Sequence, residues 1–302
     1  MLSNTGYVST DDGVRLYFQK LGSGPAAIIP NAIHMFDSFQ HLSDKRTLIF
    51  FDLRNRGSSD SVTGGEKLKR GIHQDVDDID AIRRHFAIDQ ADLIGHSYVG
   101  LMVILYALKY PAHVRRIVQI GPSQPNASKI YPAHLTGADE VLAGFIRKLG
   151  EMQSEGQPHN PQPPNPTESC EKFWALMRTV MVADPADAGK IRWTPCNSPN
   201  EVGFMKHWTD NIQPSIIALD LAQQLSKVTA PVLTIHGTKD RQAPYGGGRE
   251  WAMLLPNARL TTIENTAHVP WIEAPKQVLG SIERFLDGEW PESAEEVTSL
   301  ER

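Results

Sequence analysis

The segment 91–100, Ala-Asp-Leu-Ile-Gly-His-Ser-Tyr-Val-Gly, constrains the fold of this chain more than any other. An apolar stretch enters a Gly-x-Ser turn, and an apolar run with helical character continues from the turn to Tyr110. A strand that turns directly into a helix raises a serine hydroxyl above a parallel sheet, where a substrate can reach it. The helix also points its positive end and its free backbone N–H groups toward that serine. The pattern therefore predicts that Ser97 is a nucleophile.

Two later segments supply a candidate acid and base in the chain order Ser, Asp, His. The apolar stretch 231–236 ends in a polar turn, so Asp240 lies just past the C-terminal end of a strand, where catalytic groups gather in open α/β sheets. A second segment, 258–265, is typical of a strand and precedes the loop that carries His268. A neutral His268 would accept the proton of Ser97, while Asp240 would orient the ring and balance the imidazolium charge. Their order and strand-end positions favour this interpretation over isolated turn or surface residues.

These motifs make the chain similar to the α/β hydrolase fold superfamily, in the group with a cap that includes esterases, lactonases and proline-iminopeptidase-like enzymes. The family pattern is Gly-x-Ser-x-Gly, and this chain departs from it with Val99 at the second glycine and Gly100 directly after it. The resemblance implies an α/β fold with a mostly parallel central sheet, helices on both faces and an inserted helical cap. It also implies that Ser97, Asp240 and His268 form a catalytic triad.

The resemblance assigns an oxyanion-binding loop to the residues after the apolar stretch 26–30. Asn31-Ala32 stands here in place of the family's His-Gly signature. Because backbone donors do not depend on side-chain identity, the predicted oxyanion hole consists of the N–H groups of Tyr98 and Ile33, with Ala32 as the alternative to Ile33. Asn31 either shapes the turn, which we favour, or donates through its amide.

Aromatic side chains supply a candidate apolar pocket, although each is also typical of core packing. The predicted substrate-binding residues are Asn31, Phe36, Trp208 and Trp271. No metal site and no cofactor are expected, since acyl transfer through a serine requires neither.

The segment 47–60 resembles the family's strand and the Asp-x-Arg-Gly-x-Gly-x-Ser loop after it. We expect Asp52 and Arg54 to brace neighbouring loops through a charge-assisted hydrogen bond. The alternative is that Arg54 or Arg56 binds an anionic substrate. Apolar residues spaced by three or four then predict a helix over 72–86.

The predicted helix over 72–86 carries four acidic residues, Asp75, Asp77, Asp78 and Asp80. Successive positions on a helix point in different directions, so we expect a solvated first turn that favours the helix dipole rather than a metal site.

The alternation of strands and helices breaks between about 122 and 214, where a proline-rich stretch, 160–166, predicts an extended surface loop between helical pieces. The family inserts its cap at this place. The predicted organisation is a core over 1–122, a helical cap over 123–214, the rest of the core over 215–288 and a frayed acidic tail over 289–302.

Composition excludes several classes of function. A net charge of -5 and the lack of a basic run with interleaved aromatics argue against a nucleic-acid partner. No apolar run approaches the length of a membrane span, and the N-terminal residues lack a signal-peptide pattern, so we expect a cytoplasmic protein with no membrane partner and a small-molecule substrate. Cys170 and Cys196 are the only cysteines; we expect two free thiols, with a disulfide as the alternative. The oligomeric state stays open.

The sequence thus predicts a serine hydrolase that cleaves a carboxylic ester or lactone through an acyl-enzyme. The first alternative is a proline-iminopeptidase-like aminopeptidase with the same triad, for which Glu168, Glu171 and Glu201 are available to hold an α-amino group. An acyltransferase, a cofactor-free lyase and a non-catalytic receptor are further alternatives on this scaffold.

Overall fold

The structure is a computed structural model that describes residues 4–63, 65–155, 166–193, 195–196, 200–221 and 223–301. In these ranges the strands are β1 (Asn4–Ser9), β2 (Arg15–Leu21), β3 (Ala26–Pro30), β4 (Thr47–Phe51), β5 (Ala91–His96), β6 (Val114–Ile120), β7 (Val232–Gly237), β8 (Ala258–Ile263) and β9 (Ala294–Glu295). They form one sheet in the order β1-β2-β4-β3-β5-β6-β7-β8-β9. The six strands from β4 to β8 in that order pair in parallel, and β1, β2 and β9 add antiparallel edges. The predicted mostly parallel sheet is confirmed.

Helices cover both faces of the sheet. The helices are α1 (Ala32–Phe39), α2 (Ile72–His85), α3 (Tyr98–Lys109), α4 (Glu140–Glu155), α5 (Pro166–Met181), α6 (Glu201–His207), α7 (Gln213–Ile217), α8 (Tyr245–Leu254), α9 (Pro270–Glu273) and α10 (Pro275–Leu286). Successive strand residues point to opposite faces. Accordingly Ile28 packs in the hydrophobic cluster with α2 and α3, while Ile29 packs in the cluster with α1 and α10. The predicted three-layer α/β architecture is therefore present.

The elements between β6 and β7 are helices and short helical turns throughout the described residues of that stretch. We call α4 to α7 the helical insertion. The stretch between β6 and β7 contacts the loops that follow β7 and β8. These contacts include the Arg241–Asp139 ion pair of 2.6 Å and a hydrogen bond of 3.0 Å from the His268 N–H to the Met181 carbonyl of α5. The domain boundaries stay a prediction, and nearly all of the proline-rich stretch lies outside the described residues.

The C-terminal segment is ordered, so the expectation of a frayed tail over 289–302 is wrong for its described residues. β9 pairs with β8, and Val297 is buried at 7% exposed. The Arg249 guanidinium donates to the carbonyls of Ser299, Leu300 and Glu301. The acidic composition concealed two apolar contacts, Val297 and Leu300, that anchor the segment.

The acidic face of α2 is buried rather than solvated, contrary to expectation. Asp75 and Asp78 are each 1% exposed. The Arg54 guanidinium donates to Asp78 at 2.6 and 2.8 Å and to Asp12 at 3.0 Å. Burial opposes its charge, but these carboxylates hold the pKa of Arg54 above its usual range.

The expected Asp52–Arg54 hydrogen bond is therefore absent from the described contacts of Arg54. Asp52 accepts instead from the Ser58 N–H at 2.8 Å. Arg54 does brace loops, as predicted, but with partners that lie far away in the sequence and that no local pattern indicates.

Cys170 and Cys196 form a disulfide, so the expectation of two free thiols is wrong. The bond joins α5 to the segment before α6. The two residues are 26 positions apart, a spacing that carries no pairing signal, and only the folding of the helical insertion brings them together. The cysteines therefore no longer support the expectation of a reducing compartment. Among the described residues, no helix is both long enough and apolar enough for a membrane span.

Candidate active site

Ser97 occupies a strained turn between β5 and α3. Its backbone has φ 58° and ψ -128°, a conformation that non-glycine residues rarely adopt. Gly95 is required beside it, because a Cβ there would lie 2.4 Å from the Val99 carbonyl oxygen. A Cβ at Gly100 would lie 2.9 Å from the Pro122 Cβ. The helix and the segment after β6 therefore come close together at Gly100, so Val99 fits at the position where the family has glycine.

Asp240 and His268 meet at the C-terminal ends of β7 and β8. His268 Nδ1 lies 2.8 Å from Asp240 Oδ2, and the Asp240 Oδ1 accepts the N–H groups of Gln242 and Ala243 at 2.8 and 2.9 Å. Burial would raise the pKa of Asp240, but the neighbouring His268 and His236 hold it well below its usual range. The carboxylate is therefore ionised and oriented toward His268.

His96 precedes Ser97, and its side chain contacts the backbone of the loop that carries His268. Its Nε2 lies 2.9 Å from the His268 carbonyl oxygen. Burial and the adjacent His268 lower the pKa of His96 well below its usual value, so the ring is neutral and Nε2 carries the proton that it donates. This residue ties the candidate base to the strand that carries the candidate nucleophile.

Ser97 and His268 line the same cavity, of about 210 Å³. Its apolar wall comes from the helical insertion and consists of Phe173, Trp174, Met177, Met181, Phe204, Met205 and Trp208. Its polar side chains include Asn31, His34, Arg56, Tyr98 and Gln242. The structure thus brings the predicted Asn31, Tyr98 and Trp208 to the candidate nucleophile and base.

Phe36, Trp271 and Ile33 do not line this cavity. Phe36 packs against Phe50, with ring centroids 5.0 Å apart, and Trp271 is 2% exposed and packs against Phe39. Both aromatic residues belong to the core on the α1 and α10 face of the sheet, which is the alternative that the sequence offered for them.

The two predicted oxyanion donors differ in their surroundings. Tyr98 is the first residue of α3, so its N–H has no partner within the helix, and the residue lines the cavity. The Ile33 N–H faces the Asp52 carboxylate instead. Burial raises the pKa of Asp52 to about 6, although the Ser58 N–H, the charge of Arg56 and the Ile33 N–H oppose that rise. Asn31 has φ 71°, as a turn residue does, and its side chain also lines the cavity.

One end of the cavity is polar, and of the residues there the sequence analysis named Arg56 and the neighbouring Glu201 but not His34. Arg56 Nη2 lies 3.0 Å from His34 Nε2 and 3.7 Å from Glu201 Oε1 of α6. Burial and the charge of Arg56 lower the pKa of His34 well below its usual value, so His34 is neutral and accepts from Arg56. The signal available in the sequence was the position of His34 in the predicted oxyanion loop.

The fold and this site define the class of protein. The sequence profile of the α/β hydrolase fold family matches residues 29–275, and the chain belongs to that family. It is a hydrolase of the α/β hydrolase superfamily.

Relatives of known activity are distant and span several reactions. Proline iminopeptidase PfmaB of Pestalotiopsis fici is 24% identical over 254 residues, 83% of this chain and 85% of that protein. The bifunctional esterase/perhydrolase DCH of Acinetobacter calcoaceticus is 24% identical and covers 89% of this chain and 95% of its own length. The 2-hydroxymuconate semialdehyde hydrolase of Pseudomonas putida is 25% identical, with 88% and 84% covered.

Solved structures share the fold. An α/β fold family hydrolase from Bacillus anthracis has a TM-score of 0.70 at 20% identity and covers 95% of this chain and 99% of its own. An esterase from Thermogutta terrifontis has a TM-score of 0.67 at 18% identity, with 94% and 98% covered.

Proposed function

We propose that this protein is a serine hydrolase that cleaves a small carboxylic ester or lactone. The observation that carries the proposal is the placement of Ser97 and His268 on one cavity, with Asp240 Oδ2 2.8 Å from His268 Nδ1. An ionised acid, an imidazole and a serine in a strained turn are the groups that nucleophilic acyl transfer needs.

In the proposed mechanism, Ser97 Oγ attacks the carbonyl carbon while His268 accepts the hydroxyl proton. The tetrahedral intermediate collapses, the C–O bond to the alcohol breaks, and His268 gives its proton to the departing alkoxide. A water molecule then attacks the acyl-enzyme while His268 accepts its proton. The bond between the acyl carbon and Ser97 Oγ breaks, and His268 returns the proton to Oγ as the acid leaves. Asp240 stays ionised throughout and balances the imidazolium charge.

The oxyanion of each intermediate would bind the Tyr98 N–H, at the positive end of α3. We propose the side-chain amide of Asn31 as the second donor, because the predicted Ile33 N–H faces Asp52. The Asn31 side chain lines the cavity beside Ser97, where its Nδ2 amide can donate to an oxyanion.

The cavity supports a small substrate with an apolar part. Its volume of about 210 Å³ lies below the usual range of drug-sized pockets, roughly 300–1,000 Å³. The phenylalanine, tryptophan and methionine side chains of the insertion favour a short apolar group, and we infer that the insertion acts as a cap over the site.

The contacts of the three available glutamates favour an ester over a peptide with a free N-terminus. Glu168 forms a surface ion pair of 2.8 Å with Lys172, and Glu171 is exposed. Glu201 is buried 3.7 Å from the Arg56 guanidinium and is not among the residues that line the cavity. An aminopeptidase remains the second candidate, since some relatives carry that name.

A fluorophosphonate probe tests the proposal. We expect one stoichiometric adduct by intact-protein mass spectrometry on the native chain and none on Ser97→Ala. Ser123→Ala serves as the matched control, because Ser123 follows the neighbouring strand β6 but does not line the cavity.

Labelling that persists in Ser97→Ala would overturn the triad. A panel of short esters, lactones and prolyl amides then separates the two candidates: turnover confined to unblocked prolyl amides would overturn the ester proposal.

A further inference from the structure

A second histidine contacts the candidate acid. His236 lies on β7 and is fully buried at 0% exposed. Its Nε2 lies 3.2 Å from Asp240 Oδ2 and 3.0 Å from the Ala243 carbonyl oxygen. Since both neighbours are hydrogen-bond acceptors, the geometry requires a proton on Nε2.

The other side of the ring is closed by packing. His236 Nδ1 has no hydrogen-bond partner in the part of the chain that the structure describes. α8 passes so close that a Cβ at Gly248 would lie 2.2 Å from Nδ1, and the Tyr245 ring meets the imidazole edge-on at 5.9 Å. The orientation with Nε2 toward Asp240 and Ala243 is thus the one that gives a ring nitrogen a hydrogen-bond acceptor.

Four polar groups thus surround the Asp240 carboxylate. The backbone N–H groups of Gln242 and Ala243 hold Oδ1, and the His268 ring is hydrogen-bonded to Oδ2. His236 Nε2–H donates to the Ala243 carbonyl and also lies 3.2 Å from the same Oδ2. A carboxylate oxygen that also faces a second N–H dipole has less negative charge available for its first partner. His236 consequently affects both the position of Oδ2 and the strength of its interaction with His268.

We propose that His236 is a positioning residue for the Asp240–His268 pair: its Nε2–H, held by the Ala243 carbonyl, lies 3.2 Å from Asp240 Oδ2 and limits how strongly Asp240 stabilises protonated His268. This inference rests on the proposed function, in which His268 is the base. Without the Nε2–H donor, Asp240 would hold the imidazolium form more strongly. The unprotonated, working base would then appear only at higher pH.

Other titratable groups also surround the Asp240–His268 pair and His236. His96 of β5 packs against His268 with ring centroids 4.5 Å apart, and the charge states of His34 and His268 influence each other. Tyr245 of α8 faces His236. Substitution at His236 leaves these groups in place, so a change in the pH profile reports on the Asp240 contact.

The test compares His236→Phe, which removes the donor, with His236→Gln, whose amide N–H is placed to replace Nε2–H. The second-order rate of fluorophosphonate labelling at Ser97 is measured between about pH 5 and pH 9, where a histidine base titrates. For His236→Phe we expect the acid limb of the profile of labelling rate against pH to move up by about half to one pH unit. The labelling rate on the plateau of that profile should fall about tenfold. His236→Gln should keep the wild-type limb.

A merely structural role would lower both plateaus without moving either limb, and that result, like two unchanged profiles, would overturn the inference. A second measurement needs no variant: ¹⁵N NMR of the wild-type protein assigns the His236 tautomer, and a proton on Nδ1 with none on Nε2 would overturn it. Failure of the wild-type chain to label would instead count against the proposed function, while the tautomer result still decides on the hydrogen bond.

Discussion

His268 Nδ1 lies 2.8 Å from Asp240 Oδ2, and the two side chains are only 2% and 0% exposed. The pair is thus removed from solvent except where His268 faces the cavity. Asp240 is satisfied on both oxygens and stays ionised, since the pKa of its buried carboxyl is held low by His268 and His236. The arrangement places a fixed negative charge behind the candidate base His268, whose ring lines the same cavity as Ser97.

Asp240→Asn tests this relationship. An amide keeps the size of the carboxylate but cannot balance an imidazolium, and it favours the wrong tautomer of His268. We expect kcat to fall about 10³- to 10⁴-fold with little change in KM. Asp210→Asn, which alters an exposed carboxylate paired with Lys206, should leave both constants unchanged. Retention of more than a tenth of kcat in Asp240→Asn would contradict the assignment.

Two substitutions at Asn31 distinguish a role in the turn from a role as an oxyanion donor. Asn31→Gly keeps access to the observed φ of 71° while it removes the amide. If the amide binds the oxyanion, kcat should fall about 10²- to 10³-fold in Asn31→Gly and in Asn31→Ala alike. A glycine variant with full kcat beside a crippled alanine variant would assign Asn31 to the turn alone.

The features that depend on local sequence patterns could be predicted. The Gly-His-Ser turn and the strand ends at Asp240 and His268 are local, and the structure brings all three residues to one site. The sequence did not predict that Arg54 pairs with Asp78, which lies 24 residues away on another element. It also did not predict the Cys170–Cys196 bond. Phe36 and Trp271 show the same limit, because an aromatic side chain looks identical in sequence whether it faces a cavity or the core.

Asp52→Asn should change how stability depends on pH. Burial raises the pKa of Asp52 from 3.8 to about 6, so the unfolded chain loses this proton first and folding becomes less favourable as pH rises between those values. Above the window, the ionised carboxylate costs the folded state about 3 kcal/mol. Asparagine cannot ionise and keeps an acceptor for the Ser58 N–H.

Urea unfolding at pH 4 and pH 7 measures the effect. The stability of Asp52→Asn relative to the wild type should therefore rise by up to about 3 kcal/mol from the lower to the higher pH. Asp60→Asn is the control of opposite sign, because Arg15 lowers the pKa of Asp60 and its contribution is lost as pH falls. If the stability of Asp52→Asn relative to the wild type is the same at both pH values, burial does not raise the pKa of Asp52 to about 6.

Arg54→Met should destabilise the fold strongly. It would leave Asp78 and Asp75, each 1% exposed, without their cation, at a cost of about 3–5 kcal/mol. Lys69→Met, which breaks an exposed pair with Glu66, should cost less than about 1 kcal/mol. Equal effects of the two substitutions in chemical denaturation would show that the Arg54 cluster contributes no more than a surface ion pair.

The Cys170–Cys196 bond should matter for substrate binding more than for chemistry. It fixes the segment that carries Trp193, whose ring lies 4.0 Å from the His34 ring on the cavity wall and also contacts Trp174. The triad lies on other elements and does not depend on this contact. We therefore expect Cys170→Ser to raise KM severalfold while kcat changes by less than about twofold.

Cross-linking over 26 residues also removes unfolded-state entropy worth about 3 kcal/mol, so unfolding in urea should shift to lower concentration. The chain has no cysteines besides these two, which makes the double serine variant a clean control: dithiothreitol should raise the KM of the wild type and leave the double variant unaffected. If dithiothreitol lowers the stability of the wild type but leaves its KM unchanged, the disulfide has a structural role only.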